Sequence, residues 1–167
     1  MVTTANRQKQ AKNDLDHKLA ASHPDRALLE ELAVACAQDS SPANTFQYAF
    51  ALSKSRETSE LRYAVSLLDG LVSSGFEHQI DCMYGAATAL YLLGDYDEAR
   101  ARCEAILRAQ PHSRVAKELH LASMEAAEQY QQQQFQNAAV KSVAAAAAVG
   151  ILAGVAGLLL SSGGKKR

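Results

Sequence analysis

Residue types that perform catalysis are scattered along this chain rather than grouped. The five histidines do not have the spacing of metal ligands, and no glycine-rich phosphate loop follows a predicted strand. Asp95, Asp97 and Glu98 lie close together, but acidic side chains at such a position favour the start of the next helix through its dipole. We therefore expect no catalytic residue, no metal site and no cofactor.

A stripe of side chains with the spacing of one helical face points instead to binding. Tyr84, Thr88 and Tyr91 follow Asp81 at offsets of three, seven and ten residues, so all four share one side of a helix. An earlier helix carries a matching set, and together the two sets predict a shallow, partner-binding groove suited to an apolar peptide or helix. Its predicted residues are Phe46, Ala49, Ser53, Asp81, Tyr84, Thr88 and Tyr91. The alternative is that these aromatic side chains pack in the core.

The elements that must position this groove are helices. Before residue 138 no stretch alternates apolar and polar residues, and apolar residues recur at intervals of three and four. Short connections with Ser, Gly and Pro separate the predicted helices, so neighbours should pack as antiparallel pairs. We predict helices at residues 24–38, 42–55, 59–73, 77–93, 96–109 and 113–132. Residues 24–132 are therefore predicted to form an all-α bundle of six helices. Residues 1–23 before it are predicted to be a flexible arm, helical at most over residues 12–20.

Residues 90–99 look like the turn of a tetratricopeptide repeat (TPR). Gly94 ends the first helix, Tyr96 wedges between the helices, and Ala99 allows them to cross closely. The same spacing recurs thirty-five residues earlier at Ala64, although Ser59 stands where the repeat has glycine. Because two repeats are fewer than an isolated solenoid needs, the flanking helices should act as caps. The predicted fold is a TPR-like bundle of two helix pairs with capping helices.

Residues 143–160 contain no charged or polar side chain. At about 1.5 Å of rise per residue this run is roughly 27 Å long, enough to cross the hydrocarbon core of a bilayer. We predict a C-terminal transmembrane helix in the lipid bilayer, joined to the bundle by a juxtamembrane linker, residues 133–142. A short basic tail, residues 161–167, ends in Lys165, Lys166 and Arg167. Because so little chain follows the span, we expect a tail anchor that inserts after translation.

The charge balance limits the partners of the part before the tail. All 18 acidic residues precede Ala138, but four of the 17 Lys and Arg residues follow it, so the first part has a net charge of −5. An acidic domain without a basic block is unsuited to binding nucleic acid through phosphates. The first twenty residues contain no apolar run for a signal peptide, and three cysteines without C-x-x-C spacing indicate reduced thiols. We therefore expect the bundle to face the cytosol.

A glycine pair in the predicted span bears on oligomeric state. Gly150 and Gly154 form a G-x-x-x-G pattern, which brings transmembrane helices into close contact and would permit a homo-oligomer. In a span this rich in glycine and alanine, the same spacing arises easily by chance. The sequence leaves both possibilities open.

On these residues the chain resembles the mitochondrial fission 1 protein family, which is also found on peroxisomes. The resemblance rests on residues 45–49, 65–68, 90–99 and 116–119, and on an Ala/Gly-rich tail that closes on basic residues. It implies a single-pass protein that faces the cytosol from the outer mitochondrial or peroxisomal membrane. It also implies an adaptor that recruits a dynamin-related GTPase to division sites, directly or through adaptor proteins. The basic residues Lys165, Lys166 and Arg167 are then expected to direct membrane targeting.

Two other kinds of protein share this anchor and fold. A tail-anchored TPR co-chaperone would clamp an acidic carboxyl terminus with Lys, Asn and Arg side chains, but the expected positions hold none of these. Those positions are Ala49, Ser53, Gly85, Val115 and Leu119. An organelle-surface receptor not involved in fission, or an anchored domain without a groove, is the other alternative.

Overall fold

Every regular element in the described part of the chain is an α-helix. The structure is a computed structural model that describes the backbone of residues 3–161 and the side chains of residues 3–140. The helices in this part are α1 (Thr4–Ala21), α2 (Arg26–Gln38), α3 (Pro42–Leu52), α4 (Thr58–Ser73), α5 (Gln79–Leu93), α6 (Tyr96–Ala109) and α7 (Arg114–Ser161). Contacts divide the chain into two compact units, residues 1–127 and residues 128–167. The all-α prediction is confirmed.

Local signals explain where the helices of the first unit begin and end. The Ser41 side chain accepts a hydrogen bond from the Asn44 backbone N–H, and Pro42 occupies the first turn of α3. At the end of α5, Gly94 adopts a φ of +84°, and the Gly94 and Asp95 N–H groups donate to the carbonyls of Tyr91 and Leu90. That left-handed conformation favours glycine, so the repeat turn predicted at Gly94 is present.

Small side chains let the two central helix pairs of the first unit pack closely. Ala49 of α3, Ala64 of α4 and Ala99 of α6 have no solvent-exposed surface, and Ala86 of α5 is likewise fully buried. The pair of α3 and α4 therefore packs against the pair of α5 and α6 as two repeat-like hairpins. Leu29 of α2 packs with Leu52 and Ala64 at one end of this stack. At the other end the first part of α7 packs with α5 and α6.

The closest approach between the two hairpins lies at Gly85 of α5. A Cβ atom added there would lie 2.9 Å from Phe50 Cδ2 and 3.0 Å from Leu68 Cδ1. Helix α3 and helix α4 therefore both press against this position, and glycine is the residue that leaves room for them.

Gly85→Ala is expected to lower the free energy of unfolding relative to Gly70→Ala. Gly70 lies in α4 with no atom within 4 Å of its added Cβ, so alanine there should stabilise the helix by about 0.5–1 kcal/mol. At Gly85 the same gain is offset by overpacking, and the two variants should differ by about 1–3 kcal/mol. Urea unfolding of the two full-length variants measures the difference. Equal stabilities would show that Phe50 and Leu68 move aside freely.

The structure differs from the sequence prediction at the amino terminus. Where we predicted a flexible arm, helical at most over residues 12–20, Thr4–Ala21 forms the helix α1. Thr3 caps it by accepting a hydrogen bond from the Asn6 backbone N–H. Leu15 and Leu19 are its buried leucines, and both belong to the cluster that holds α5, α6 and α7 together. The sequence pattern missed α1 because two leucines in an otherwise polar segment give little periodicity, and tertiary packing supplies the rest.

The second unit contains the remainder of α7. Over residues 128–140 its side chains are exposed, including Tyr130, Phe135 and Val140, and the described part of the predicted linker is helical. No helix among the described residues is long and apolar enough to span a membrane. The predicted span, residues 143–160, with its Gly150 and Gly154, and the basic tail, residues 161–167, lie outside the residues whose side chains the structure describes.

Candidate functional site

The structure places the seven predicted groove residues in three different environments. Ala49, Ser53, Thr88 and Tyr91 are buried, each with 6% or less of its surface exposed. Phe46 and Tyr84 are half-buried, whereas Asp81 is exposed. The stripe is therefore a face that the first unit largely covers, with an open part near Phe46.

The hydroxyl groups of Ser53 and Thr88 are satisfied by nearby backbone carbonyls. Thr88 Oγ1 donates to the Tyr84 carbonyl oxygen at 2.9 Å, and Ser53 Oγ donates to the Phe50 carbonyl oxygen at 2.7 Å. Both acceptors are backbone carbonyls three or four residues earlier in the chain, which are the usual partners of a buried hydroxyl in helical structure. These two side chains therefore have no donor directed at a partner.

Helix α1 covers the part of the stripe near Tyr91. Tyr91 Oη donates to Asp16 Oδ1 at 2.7 Å, and the ring of Tyr91 clusters with Leu15 and Leu19. Burial, reinforced by the hydrogen bond to Asp16, raises the pKa of the Tyr91 phenol. The phenol therefore stays neutral and continues to donate. This part of the predicted groove is occupied by the chain itself.

Two polar contacts tie α1 to the first part of α7. Lys18 Nζ forms an ion pair with Glu118, and Gln8 Nε2 donates to Met124 Sδ at 3.7 Å. An ion pair with an exposed lysine contributes little, typically about 0.2–1 kcal/mol. The buried leucines of α1 therefore contribute more to its docking than these polar contacts.

The open part of the groove is an apolar cavity of about 560 Å³ between α2 and α3. Its apolar lining is made by Leu28 and Leu32 of α2 and by Phe46, Phe50 and Ala51 of α3. The Phe46 and Phe50 rings lie 5.3 Å apart between centroids, and 43% of the Leu28 surface is exposed. We call this cavity the apolar pocket. Its size and lining match those of sites that accept apolar side chains.

Asp81 lies away from the apolar pocket. It lines a separate cavity of about 420 Å³ with Glu77, His78 and Gln110, and its Oδ2 lies 3.8 Å from His78 Nδ1. The His78 ring stacks on Phe46 at 6.0 Å between centroids. Asp81 is thus connected to Phe46 through His78, and it lies at the other end of α5 from Tyr91.

The sequence interpretation missed three residues that build the apolar pocket. Leu28 and Leu32 lie one turn apart on α2, and Phe50 lies one turn after Phe46 on α3. The i, i+4 spacing of each pair was a usable signal. We had treated the helix before Pro42 only as a cap, so its outward leucines were not assigned to a binding surface.

Two cysteines of the first unit, Cys82 and Cys103, are buried. Burial raises the pKa of the Cys82 thiol to about 11 and that of the Cys103 thiol to about 12. Neither thiol forms a nucleophilic thiolate near neutral pH. Within residues 3–140 no His, Cys, Asp and Glu side chains gather in a group of three that would hold a metal ion. The open, apolar surface is suited to binding another protein.

The fold and the groove define a helical-repeat protein of the tetratricopeptide type, a class that binds partners on concave surfaces. The structure is similar to the crystal structure of fission protein Fis1 from Saccharomyces cerevisiae, with a TM-score of 0.63 and 18% identity over 70% of this chain and 95% of that chain. It is also similar to yeast Fis1 in complex with an Mdv1 fragment containing N-terminal extension and coiled coil domains. That match has a TM-score of 0.59, 20% identity, and covers 70% of this chain and 94% of the other.

Sequence relatives give the family. A mitochondrial fission 1 protein from Gibberella zeae is 30% identical over 123 residues, which covers 73% of this chain and 74% of the relative. One from Debaryomyces hansenii is 29% identical over 82 residues, so this chain spans about half, 54%, of its length. No protein-family model matches the chain. The chain belongs to the mitochondrial fission 1 protein family.

Proposed function

We propose that this chain is a tail-anchored adaptor that recruits the organelle-division machinery to the outer mitochondrial membrane, the peroxisomal membrane or both. Its partner is a dynamin-related GTPase, reached directly or through adaptor proteins. The first unit faces the cytosol and presents the groove. Residues 143–160 hold the chain in the bilayer, and Lys165, Lys166 and Arg167 direct it to these organelles.

The observation that carries this proposal is the apolar pocket on the concave face of a fission 1 fold. A concave, largely apolar cavity of about 560 Å³ has the shape and chemistry of a binding site. Support for the kind of partner comes from the similar yeast Fis1, which has been crystallised with a fragment of Mdv1. A cytosolic division factor is the partner that this family membership favours.

The predicted groove residues differ in how a partner reaches them in this proposal. Phe46, at the open part, contacts the partner directly. Tyr91 lies under α1, so it reaches a partner only when α1 leaves its place. Because Tyr91 is 6% exposed and packs in the core, its replacement by alanine would remove core packing as well as groove surface. A cleaner test places a large side chain in the open part of the groove and leaves the core unchanged.

Gln47→Trp is expected to block recruitment without disturbing the core. Gln47 is exposed and lines the apolar pocket, so a tryptophan there would occupy the space that a partner needs. Ser66→Trp is the matched control, because Ser66 is exposed on α4 and lines none of the cavities described above. Full-length chains are precipitated from cells, and the dynamin-related GTPase and its adaptors are quantified by mass spectrometry.

The proposal predicts that recovery of division factors falls at least tenfold for Gln47→Trp and stays at the wild-type level for Ser66→Trp. Circular dichroism of both variants checks that the helices remain folded. Wild-type recovery of division factors by Gln47→Trp, or their absence from every precipitate including the wild type, would contradict it.

A further inference from the structure

A second, smaller cavity lies beside the apolar pocket and differs from it in chemistry. It has a volume of about 200 Å³ and is lined by residues that include Asp16, Leu19, His23, Lys54, Arg56 and Leu92. His23 and Lys54 also line the apolar pocket, so the two cavities meet at these two residues. One continuous surface therefore passes from an apolar end to an end with basic side chains.

The carboxylates on this surface already have partners. Asp16 accepts the hydrogen bond from Tyr91 and forms an ion pair with Lys12 at 2.7 Å. Asp25, in the lining of the apolar pocket, caps α2 by accepting a hydrogen bond from the Leu28 backbone N–H at 2.7 Å. Its charge is also offset by the positive end of the α2 dipole. Neither carboxylate compensates the basic side chains.

Lys54 and Arg56 are the basic side chains of this surface, and neither is paired with a carboxylate in the described part of the chain. Within residues 3–140 neither forms an ion pair, whereas Arg26 on α2 pairs with Glu60. Lys54 Nζ lies over the Phe50 ring, 4.9 Å from its centroid, so the lysine charge stands at the aromatic wall of the apolar pocket. The His23 Nδ1–H donates to the Lys54 carbonyl oxygen at 3.1 Å, which fixes the linker between α1 and α2 against the end of α3.

The walls of the apolar pocket also limit the shape of the partner. Leu28 and Leu32 lie on α2, and Phe46 and Phe50 lie on α3, so the backbone hydrogen-bonding groups beside them are already paired within helices. An extended peptide would find no strand edge to pair with, and its own backbone groups would remain unsatisfied. A helix satisfies its own backbone and can insert apolar side chains one turn apart.

We propose that the apolar pocket and the Lys54–Arg56 pair together bind an acidic amphipathic helix of the partner. Two apolar side chains one turn apart enter the apolar pocket, and carboxylates in the adjoining turn contact Lys54 and Arg56. This rests on the proposed function, since it specifies the chemistry of the partner that the groove recruits. The part of the chain before Ala138 has a net charge of −5, so an acidic helix is attracted where Lys54 and Arg56 lie and repelled by the acidic remainder.

The test measures binding of labelled synthetic helices to the full-length chain in phosphatidylcholine nanodiscs by fluorescence anisotropy. One helix carries leucines at i and i+4 and two glutamates in the next turn, and its matched control replaces the glutamates with glutamines. At low ionic strength the acidic helix should bind about tenfold more tightly, because charge-assisted hydrogen bonds exceed neutral ones, and added salt should reduce that preference.

Variants of the chain test whether Lys54 and Arg56 cause the preference for the acidic helix. Lys54→Gln with Arg56→Gln should remove the tenfold preference, so that the two helices bind equally, whereas Arg62→Gln, at an exposed arginine on α4, should leave the preference unchanged. Leu28→Asn should weaken both helices equally. Equal binding of the two helices to wild type, or a preference that survives the double substitution, would overturn the proposal. Competition by phosphatidylserine vesicles that depends on Lys54 and Arg56 would overturn it in favour of a lipid.

Failure of this inference is distinguishable from failure of the proposed function. If Gln47→Trp abolishes recruitment of division factors in cells but Lys54→Gln with Arg56→Gln does not, the acidic helix is wrong and the adaptor role stands. If neither variant changes recruitment, both are wrong.

Discussion

Leu15→Ala with Leu19→Ala is expected to release α1 from the first unit while α3 to α6 remain folded. These leucines are 2% and 9% exposed, and each truncation of a buried leucine costs about 2–5 kcal/mol. The contacts that remain to α1 are polar, and the strongest of them, the Tyr91–Asp16 hydrogen bond to a carboxylate, contributes about 1.5–3 kcal/mol. Hydrogen exchange measured by mass spectrometry should show amides of α1 exchanging at least tenfold faster, with α4 and α5 unchanged.

Release of α1 should also increase partner binding, because it uncovers Tyr91. Val34→Ala on α2 is the matched control, since Val34 is 55% exposed and its loss should change neither exchange nor recruitment. Equal loss of protection in α1, α4 and α5 would mean that α1 is an inseparable part of the core. Reduced recruitment in the double variant would mean that α1 contributes to the partner surface instead of covering it.

A chain ending at Asn137 is expected to lose its membrane association completely. The eight Val, Ile and Leu residues of the predicted span, residues 143–160, supply roughly 2–5 kcal/mol of insertion free energy. No comparable apolar run exists in the preceding sequence, so the truncated chain should be recovered in the soluble fraction after carbonate extraction. The full-length chain should remain in the membrane pellet.

The matched control for truncation changes the basic tail without removing the span. Lys165→Glu, Lys166→Glu and Arg167→Glu together should leave the chain in the carbonate-resistant pellet but move it from mitochondria and peroxisomes to the endoplasmic reticulum. A truncated chain that still pellets would contradict the anchor. Unchanged organelle distribution of the charge-reversed chain would show that the basic tail does not direct targeting.

Local sequence signals were sufficient for the helices that carry their own caps and periodicity. Pro42 after Ser41, and Gly94 after Leu93, are start and stop signals set by backbone chemistry alone, and the structure has α3 and α5 bounded there. Helix α1 has a cap at Thr3 but little apolar periodicity. Its stability depends on two leucines that enter a core built from α5, α6 and α7, and that long-range packing is not written in residues 1–23 themselves.

The face of α5 that lines the groove could be identified from the sequence, but the fact that α1 covers part of it could not. The spacing of Tyr84, Thr88 and Tyr91 places them on one side of α5, and nothing in that spacing indicates that Asp16 accepts a hydrogen bond from Tyr91. The pairing of Phe50 with Lys54 across one turn of α3 was visible in sequence. Its connection to the α1–α2 linker through His23 depends on the tertiary fold, so the basic end of the surface emerged only from the structure.

The central claim is that the open part of the groove recruits division machinery at the organelle surface. It is tested most directly by imaging mitochondria and peroxisomes in cells that express full-length wild type or Gln47→Trp at matched levels as N-terminal fluorescent fusions. The account predicts that both chains coat the organelles and that only the wild type fragments them. Coating without fragmentation by the wild type, or equal fragmentation by Gln47→Trp, would contradict it.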